Sequence, residues 1–200
     1  MPFSTDTTWP QSLLTIFNIW KHGGYGNRYY GPYNHLLNYC FHEFPDRYFV
    51  APHNPPGNST PHDTVNFVVS QVVPGAEYGP VLFVEVKNDG WANEAHLRCS
   101  ADSKIRDRFR SMLRNGHPLP DRLWGLSLLG TSLCVYHVTV ATEDVEPKLV
   151  HPLASSSLPL PPDFLEGRWK MDILSQEGFD AMKLVMSDIY NSAAADSDSQ

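Results

Sequence analysis

The sequence predicts an α/β protein built on a mixed β-sheet of about four to five strands, with helices packed against it. Helix-type and strand-type segments follow one another in the order α-α-β-β-α-β-β-α. Apolar residues make up 42% of the 200 residues and aromatic residues 12%, which is enough for a sizeable core. We expect one domain over residues 1–190, with an N-terminal helical extension, and a disordered polar tail over residues 191–200.

Four segments carry apolar side chains at the three- and four-residue spacing of an amphipathic helix. The first has Pro10 in its first turn and a pair of glycines directly after its end. For the third, Ser100 is the expected N-cap and Gly116 follows the expected stop. The predicted helices cover residues 10–22, a segment that begins near Pro32, residues 100–114 and residues 177–190.

Four other segments are rich in β-branched and aromatic residues and are predicted strands. Residues 65–73 and 81–87 are joined by the turn sequence PGAEYG, which predicts a hairpin with a longer turn. Residues 124–129 and 133–140 are separated by Gly130 and Thr131, so they are predicted to form a second strand pair.

The strand VLFVEVK, residues 81–87, ends in an acidic and a basic residue two positions apart. Side chains at this spacing point to the same face of a strand, so Glu85 and Lys87 share a face with Phe83. A carboxylate there can ligate a hard divalent cation, and a nearby Lys can orient a water or stabilise charge on a phosphate. The spacing indicates either a metal-assisted phosphodiesterase site or a solvent-facing salt bridge.

A basic segment follows this strand, with six of the 15 basic residues of the chain between Arg98 and Arg114. Arg106, Arg110 and Arg114 recur every four residues and so form one stripe along the predicted helix. The net charge of −7 gives no general attraction to nucleic acid, so any such contact needs a local basic patch like this stripe. A solvated outer face of the helix is the alternative interpretation.

Taken together, six stretches of the sequence resemble a known family. They are NRYYGPYNHLLNYCF, TVNFVV, VLFVEVK, ADSKIRDRF, LWGLSLLGTSLCVY and RWKMDIL. The chain from about residue 27 to residue 189 resembles the PD-(D/E)XK nuclease-like superfamily, most closely uncharacterised basidiomycete proteins of that type. The resemblance implies a restriction-endonuclease-like core and, if the site is active, a Mg²⁺- or Mn²⁺-dependent nuclease, which is a hydrolase.

The resemblance also implies roles for individual residues. In the superfamily pattern an acid lies on the first core helix and an Asp lies on one hairpin strand. An acid-x-Lys follows on the next strand, and a Gln or a basic residue lies on the next helix. By this pattern Glu85 is a metal ligand and Lys87 the catalytic lysine. Lys104 falls where a Gln is common, and Asn66 falls where the strand Asp is expected.

The chain departs from this pattern at two positions. Asn66 offers only a neutral carbonyl oxygen, and Gly26 has no side chain where relatives often have Glu. Asp63, three residues before Asn66, is the alternative second metal ligand. Two functions therefore stay open. One is the metal-dependent nuclease, and the other is a non-catalytic binding protein, or pseudoenzyme, that holds nucleic acid, a protein or a small molecule without a metal.

No pattern in the sequence indicates secretion or a membrane. The N-terminus lacks the basic region of a signal peptide, and the apolar run SLLTIFNIW is too short to span a bilayer. Cys40, Cys99 and Cys134 lie far apart, which suits a reducing compartment. We expect a cytoplasmic or nuclear protein that does not bind membranes, while the sequence leaves the oligomeric state open.

Overall fold

The computed structural model of the chain describes residues 2–21, 28–43, 45–52, 67–72, 79–114, 116, 118–151 and 159–197. Within these residues a seven-stranded mixed sheet forms the centre of the protein, and helices cover both of its faces. The predicted α/β class with a mixed sheet is confirmed. The sheet has more strands than the four to five that the sequence predicted.

The strands are β1 (Tyr48–Pro52), β2 (Phe67–Gln71), β3 (Gly79–Lys87), β4 (Arg122–Leu129), β5 (Ser132–Thr139), β6 (Asp144–Glu146) and β7 (Met171–Asp172). They lie in the order β1-β2-β3-β4-β5-β6, and β7 pairs with the opposite end of β5 from β6. Strands β6 and β7 have only three and two residues, too few for an alternating pattern. Strand β1 lies at the edge of the sheet, and its exposed positions weaken the alternation of apolar and polar residues. The sequence therefore predicted none of β1, β6 and β7.

The predicted hairpin is present, since β2 and β3 pair antiparallel with Phe67 opposite Val84. The register skips Val81, which makes a β-bulge in β3. Strands β3 and β4 run parallel, and the helix between them supplies the crossover that a parallel pair needs. Strands β4 and β5 form the second expected antiparallel pair, with Gly130 at a φ of +66° in the tight turn between them.

The helices are α1 (Pro2–Thr5), α2 (Gln11–Lys21), α3 (Tyr30–Phe41), α4 (Ala95–Arg114) and α5 (Gln176–Ser197). Helix α4 begins five residues before the expected N-cap, because the carbonyl of Glu94 already accepts the amides of Leu97 and Arg98. Helix α5 continues through the alanines after residue 190, where a disordered tail was expected. Alanine is the best helix former, which accounts for the longer helix. Residues 198–200 lie outside the described part of the chain.

Two apolar clusters hold the layers together. Helices α1, α2, α3 and α5 bury their apolar faces on one side of the sheet, and α4 covers the other side. Phe3 and Trp9 are part of the first cluster, so the N-terminal segment packs into the main core. The predicted core positions are buried, among them Leu13, Phe17, Leu36, Leu37, Ile105, Phe109, Met112, Phe179, Met182, Val185, Met186 and Ile189. Trp20 follows Leu13 and Phe17 at helical spacing, which predicts a place on the same apolar face, but it is 47% exposed. Across the described residues, no helix has the length and hydropathy to cross a membrane.

Candidate site at the carboxyl end of strand β3

The acidic and basic residues of strand β3 form an ion pair at the end of the strand. Lys87 Nζ lies 3.1 Å from Glu85 Oε1, and the Glu85 side chain is only 8% exposed. The Lys87 side chain is 24% exposed, so the pair opens to solvent on the lysine side. The carboxylate of this pair is therefore nearly buried, while its ammonium group is partly exposed to solvent.

A short 3₁₀ helix, Asp89–Asn93, follows β3 and carries an indole into the site; we call it the Trp91 turn. Lys87 Nζ lies 5.4 Å from the centroid of the Trp91 ring, and Lys104 Nζ from helix α4 lies 5.5 Å from the same centroid. The structure therefore brings together three side chains that the sequence marked as site residues. We call Glu85, Lys87, Trp91 and Lys104 the β3-end cluster.

Helix α4 reaches the cluster because it packs on the Phe83 face of β3. The rings of Phe83 and Phe109 meet edge to face with centroids 4.7 Å apart, next to a sheet position occupied by Gly125. A Cβ at Gly125 would lie 2.9 Å from the Phe83 ring, so only glycine leaves room for this contact. The close packing of helix and sheet brings exposed Lys104 beside the Trp91 turn.

The first residue of the Trp91 turn, Asp89, is bound by two residues that directly precede helix α3. Tyr29 donates its hydroxyl to Asp89 Oδ1 at 2.8 Å, and Arg28 forms an ion pair with Asp89 Oδ2. Burial alone would raise the pKa of the Asp89 carboxyl, but hydrogen bonds from Tyr29 and Arg28 outweigh it and hold this pKa below its usual value. Burial and the bond to Asp89 raise the pKa of Tyr29 to about 12, so the hydroxyl stays a donor.

Arg98, the first of the basic residues that follow β3, fixes the far end of the Trp91 turn. Arg98 is 2% exposed, and its guanidinium donates to the backbone carbonyls of Ala92, Pro162 and Phe164 at 2.6, 2.6 and 2.9 Å. These three bonds join the turn to the loop before the 3₁₀ helix Glu166–Trp169. Trp91 therefore lies on a turn that is anchored at both ends.

The predicted arginine stripe is divided between core and surface. Arg106 is 5% exposed and pairs with buried Asp102 at 2.8 Å, so it does not present a cation to a ligand. Arg110 and Arg114 are exposed, and Arg110 forms an ion pair with Asp107. Residues two apart on a helix point about 200° apart, so a stripe through Arg106 faces away from Lys104. The stripe is thus separate from the β3-end cluster. Arg106 is not part of an exposed basic surface, while nucleic-acid contacts of Arg110 and Arg114 stay a prediction.

The predicted second metal ligands, Asn66 and Asp63, lie outside the described residues, as does Gly26. The described β2 ladder ends at Phe67, opposite Val84. No group of three or more His, Cys, Asp or Glu side chains that could hold a metal occurs in the described ranges. Glu85 is paired with Lys87, and Asp89 with Arg28 and Tyr29, so these donors alone do not fit Mg²⁺ or Mn²⁺.

The fold and the cluster define an α/β protein with a mixed sheet and a charged site at the carboxyl end of a central strand, beside its parallel neighbour. Comparison of the chain with protein-family models, with curated proteins and with solved structures finds no match in any of the three. A function for this chain therefore rests on the chemistry of the β3-end cluster.

Proposed function

We propose that this chain uses a PD-(D/E)XK-type phosphodiesterase scaffold to bind nucleic acid at the β3-end cluster. The observation that carries the proposal is the convergence of Lys87 and Lys104 on one indole beside Glu85. The order of elements supports the scaffold. Helix α3 and strand β1 are followed by the hairpin β2–β3, which carries the acid-x-Lys on its second strand, and then by helix α4 with its basic residues.

Each side chain of the cluster has a property that suits a nucleic-acid ligand. An ammonium group donates up to three hydrogen bonds, and such bonds to a phosphate are strengthened by charge. Glu85 accepts from Lys87 and so fixes the direction of that ammonium group. The partly exposed indole of Trp91 adds a flat surface of the kind on which bases stack.

Metal-dependent hydrolysis is the second candidate function, and the acid-x-Lys spacing of Glu85 and Lys87 at the end of β3 favours it. A bound Mg²⁺ or Mn²⁺ would supply a Lewis acid and an activated water. A divalent ion usually takes two or more anionic oxygens at neutral pH, and the described cluster contributes one carboxylate. Binding without catalysis is therefore the first candidate, and hydrolysis depends on what positions 63 and 66 contribute.

Nucleic-acid binding is expected to be measurable at low salt by fluorescence anisotropy with labelled DNA and RNA. The double variant Lys87→Gln/Lys104→Gln should weaken it by about 100-fold, since each lost ammonium removes one charge-assisted hydrogen bond worth about a factor of ten. Lys148→Gln/Lys170→Gln removes the same charge from exposed positions and should bind like the wild type. Failure of the wild type to bind any DNA or RNA, with or without Mn²⁺, would rule out the proposal.

Divalent-ion binding is expected to be weak, with a dissociation constant in the millimolar range or no detectable heat in calorimetry with Mn²⁺. If position 66 faces Glu85, Asn66→Asp adds a second anionic oxygen, and Mn²⁺ should then raise the melting temperature. Asn191→Asp, at an exposed position of α5, is the matched control and should show no such gain. Micromolar Mn²⁺ binding by the wild type that Glu85→Gln removes, together with cleavage, would make the nuclease the first candidate.

A further inference from the structure

We infer that the β3-end cluster takes one nucleotide unit of a single-stranded nucleic acid without a divalent ion. The phosphate of that unit would lie between Lys87 and Lys104, and its base would lie against Trp91. The inference rests on the proposed function and narrows it to a class of ligand and to a metal-free mode of binding.

The charges of the cluster favour an anion over a cation. Two ammonium groups, on Lys87 and Lys104, lie within 5.5 Å of the same ring centroid, and Glu85 is paired with Lys87. Lys87 already lies 3.1 Å from Glu85 Oε1, so a divalent cation at this carboxylate would have to displace the ammonium group of Lys87. A phosphate instead meets two donors and needs no ion to neutralise it.

The position of the two ammonium groups over the indole suggests how a ligand enters. The Trp91 ring attracts both of these cations, and Lys87 is also paired with Glu85. A charge-assisted hydrogen bond to a phosphate is stronger than a cation–π contact at a partly exposed ring, so a phosphate would draw both ammonium groups towards itself. The face of the indole would then be open for a base, on a turn that Asp89 and Arg98 already hold in place.

The small size of this basic surface favours a single strand over a duplex. Arg98 and Arg106, on the same helix as Lys104, donate to backbone carbonyls and to Asp102, and the chain carries a net charge of −7. Duplex binding depends on neutralising many phosphates, whereas a single strand also offers an unstacked base. Two lysines and one indole match one phosphate and one base.

The test is the anisotropy of a short fluorescein-labelled oligo-dT, titrated with the protein at low salt in EDTA and again in Mn²⁺. We expect the same affinity in both buffers and weaker binding of a duplex of equal length. The slope of log K against log salt should be about −0.7, from the one phosphate that Lys87 and Lys104 neutralise. Lys104→Gln and Trp91→Leu should each weaken binding by about tenfold. Trp91→Phe keeps a ring and should lose less than Trp91→Leu, and melting curves identify any variant that fails to fold.

Lys170→Gln and Trp20→Leu are the matched controls, because both residues are exposed and lie outside the cluster; they should bind like the wild type. Binding of DNA or RNA that requires Mn²⁺, that prefers the duplex, or that is unaffected by Trp91→Leu would overturn the inference and leave the proposed function standing. Absence of binding to every nucleic acid in both buffers would remove the proposed function as well.

Discussion

Replacing Asp102 by alanine is expected to destabilise the protein by about 3–5 kcal/mol, a large part of the stability of an ordinary domain. Asp102 is 3% exposed, and its carboxylate accepts hydrogen bonds from Arg106 Nε and Nη2 at 2.8 and 3.1 Å. The hydroxyl of Tyr136 donates to the same carboxylate at 2.8 Å. Removing the carboxylate leaves the 5% exposed guanidinium of Arg106 in the interior without its counter-charge.

The free energy of unfolding in urea measures this effect, and Asp107→Ala is the matched control on the same helix. Asp107 pairs with Arg110 at the surface, where an ion pair is worth about 0.2–0.5 kcal/mol. Asp102→Leu/Arg106→Met removes both buried charges together and should be more stable than Asp102→Ala alone. Equal losses of unfolding free energy for Asp102→Ala and Asp107→Ala would show that the buried ion pair stabilises the protein no more than the surface pair.

The same ion pair shows why the sequence identified helix α4 but not the orientation of its arginines. Ile105, Phe109 and Met112 repeat at helical spacing, and that pattern correctly predicted the helix and its buried side. Arg98 and Arg106 lie at the margins of that side, where charged residues are normally solvated. They are buried because distant partners, the carbonyls of the 162–164 loop and of Pro147, accept their hydrogen bonds. The residue pattern of helix α4 contains no information about partners so far away in the chain.

The candidate site was also predicted in part: the sequence indicated Glu85 and Lys87 but not Trp91. The i, i+2 spacing of Glu85 and Lys87 places both on one face of a strand, and the described geometry has them paired there. Trp91 was missed because a 3₁₀ turn of five residues has no hydrophobic period that could mark it. Its position depends on the bond between Asp89 and Tyr29, which lie 60 residues apart in the chain, and contacts at that range are set by the whole fold.

Strands of the sheet were likewise predicted where their own residues specify them and missed where they depend on pairing with a distant strand. Strand β3 has nine residues and an apolar run, so its existence was clear from the sequence. β6 and β7 depend on pairing with β5 and have too few residues to specify a strand alone. The parallel alignment of β3 and β4 follows from the helical crossover between them, which the predicted order of elements already contained.

Replacing Gly130 by alanine is expected to cost about 2–3 kcal/mol of stability and to weaken nucleic-acid binding at the β3-end cluster. Gly130 has a φ of +66°, which is unfavourable for any residue with a Cβ. An added Cβ would also collide with the Asp89 carboxylate and lie 3.1 Å from the Asp89 Cα. The backbone cannot move away easily, because its amide donates to Lys87 at 2.8 Å and its carbonyl accepts from Tyr33 at 2.7 Å.

Gly116→Ala separates the two causes of this effect. Gly116 has a φ of +70°, and beyond its chain neighbours no described atom lies within 4 Å of where an added Cβ would be. Its substitution therefore carries backbone strain of about 1 kcal/mol and no collision. Urea unfolding and oligo-dT anisotropy on both variants should show a larger loss of stability for Gly130→Ala, and weaker binding only for that variant.

A third variant isolates the collision itself. Adding Asp89→Ala to Gly130→Ala relieves the contact with the carboxylate, so the two substitutions should cost less together than the sum of their separate costs. Equal stability losses and unchanged binding in the Gly130→Ala and Gly116→Ala variants would mean that Gly130 does not pack closely against Asp89.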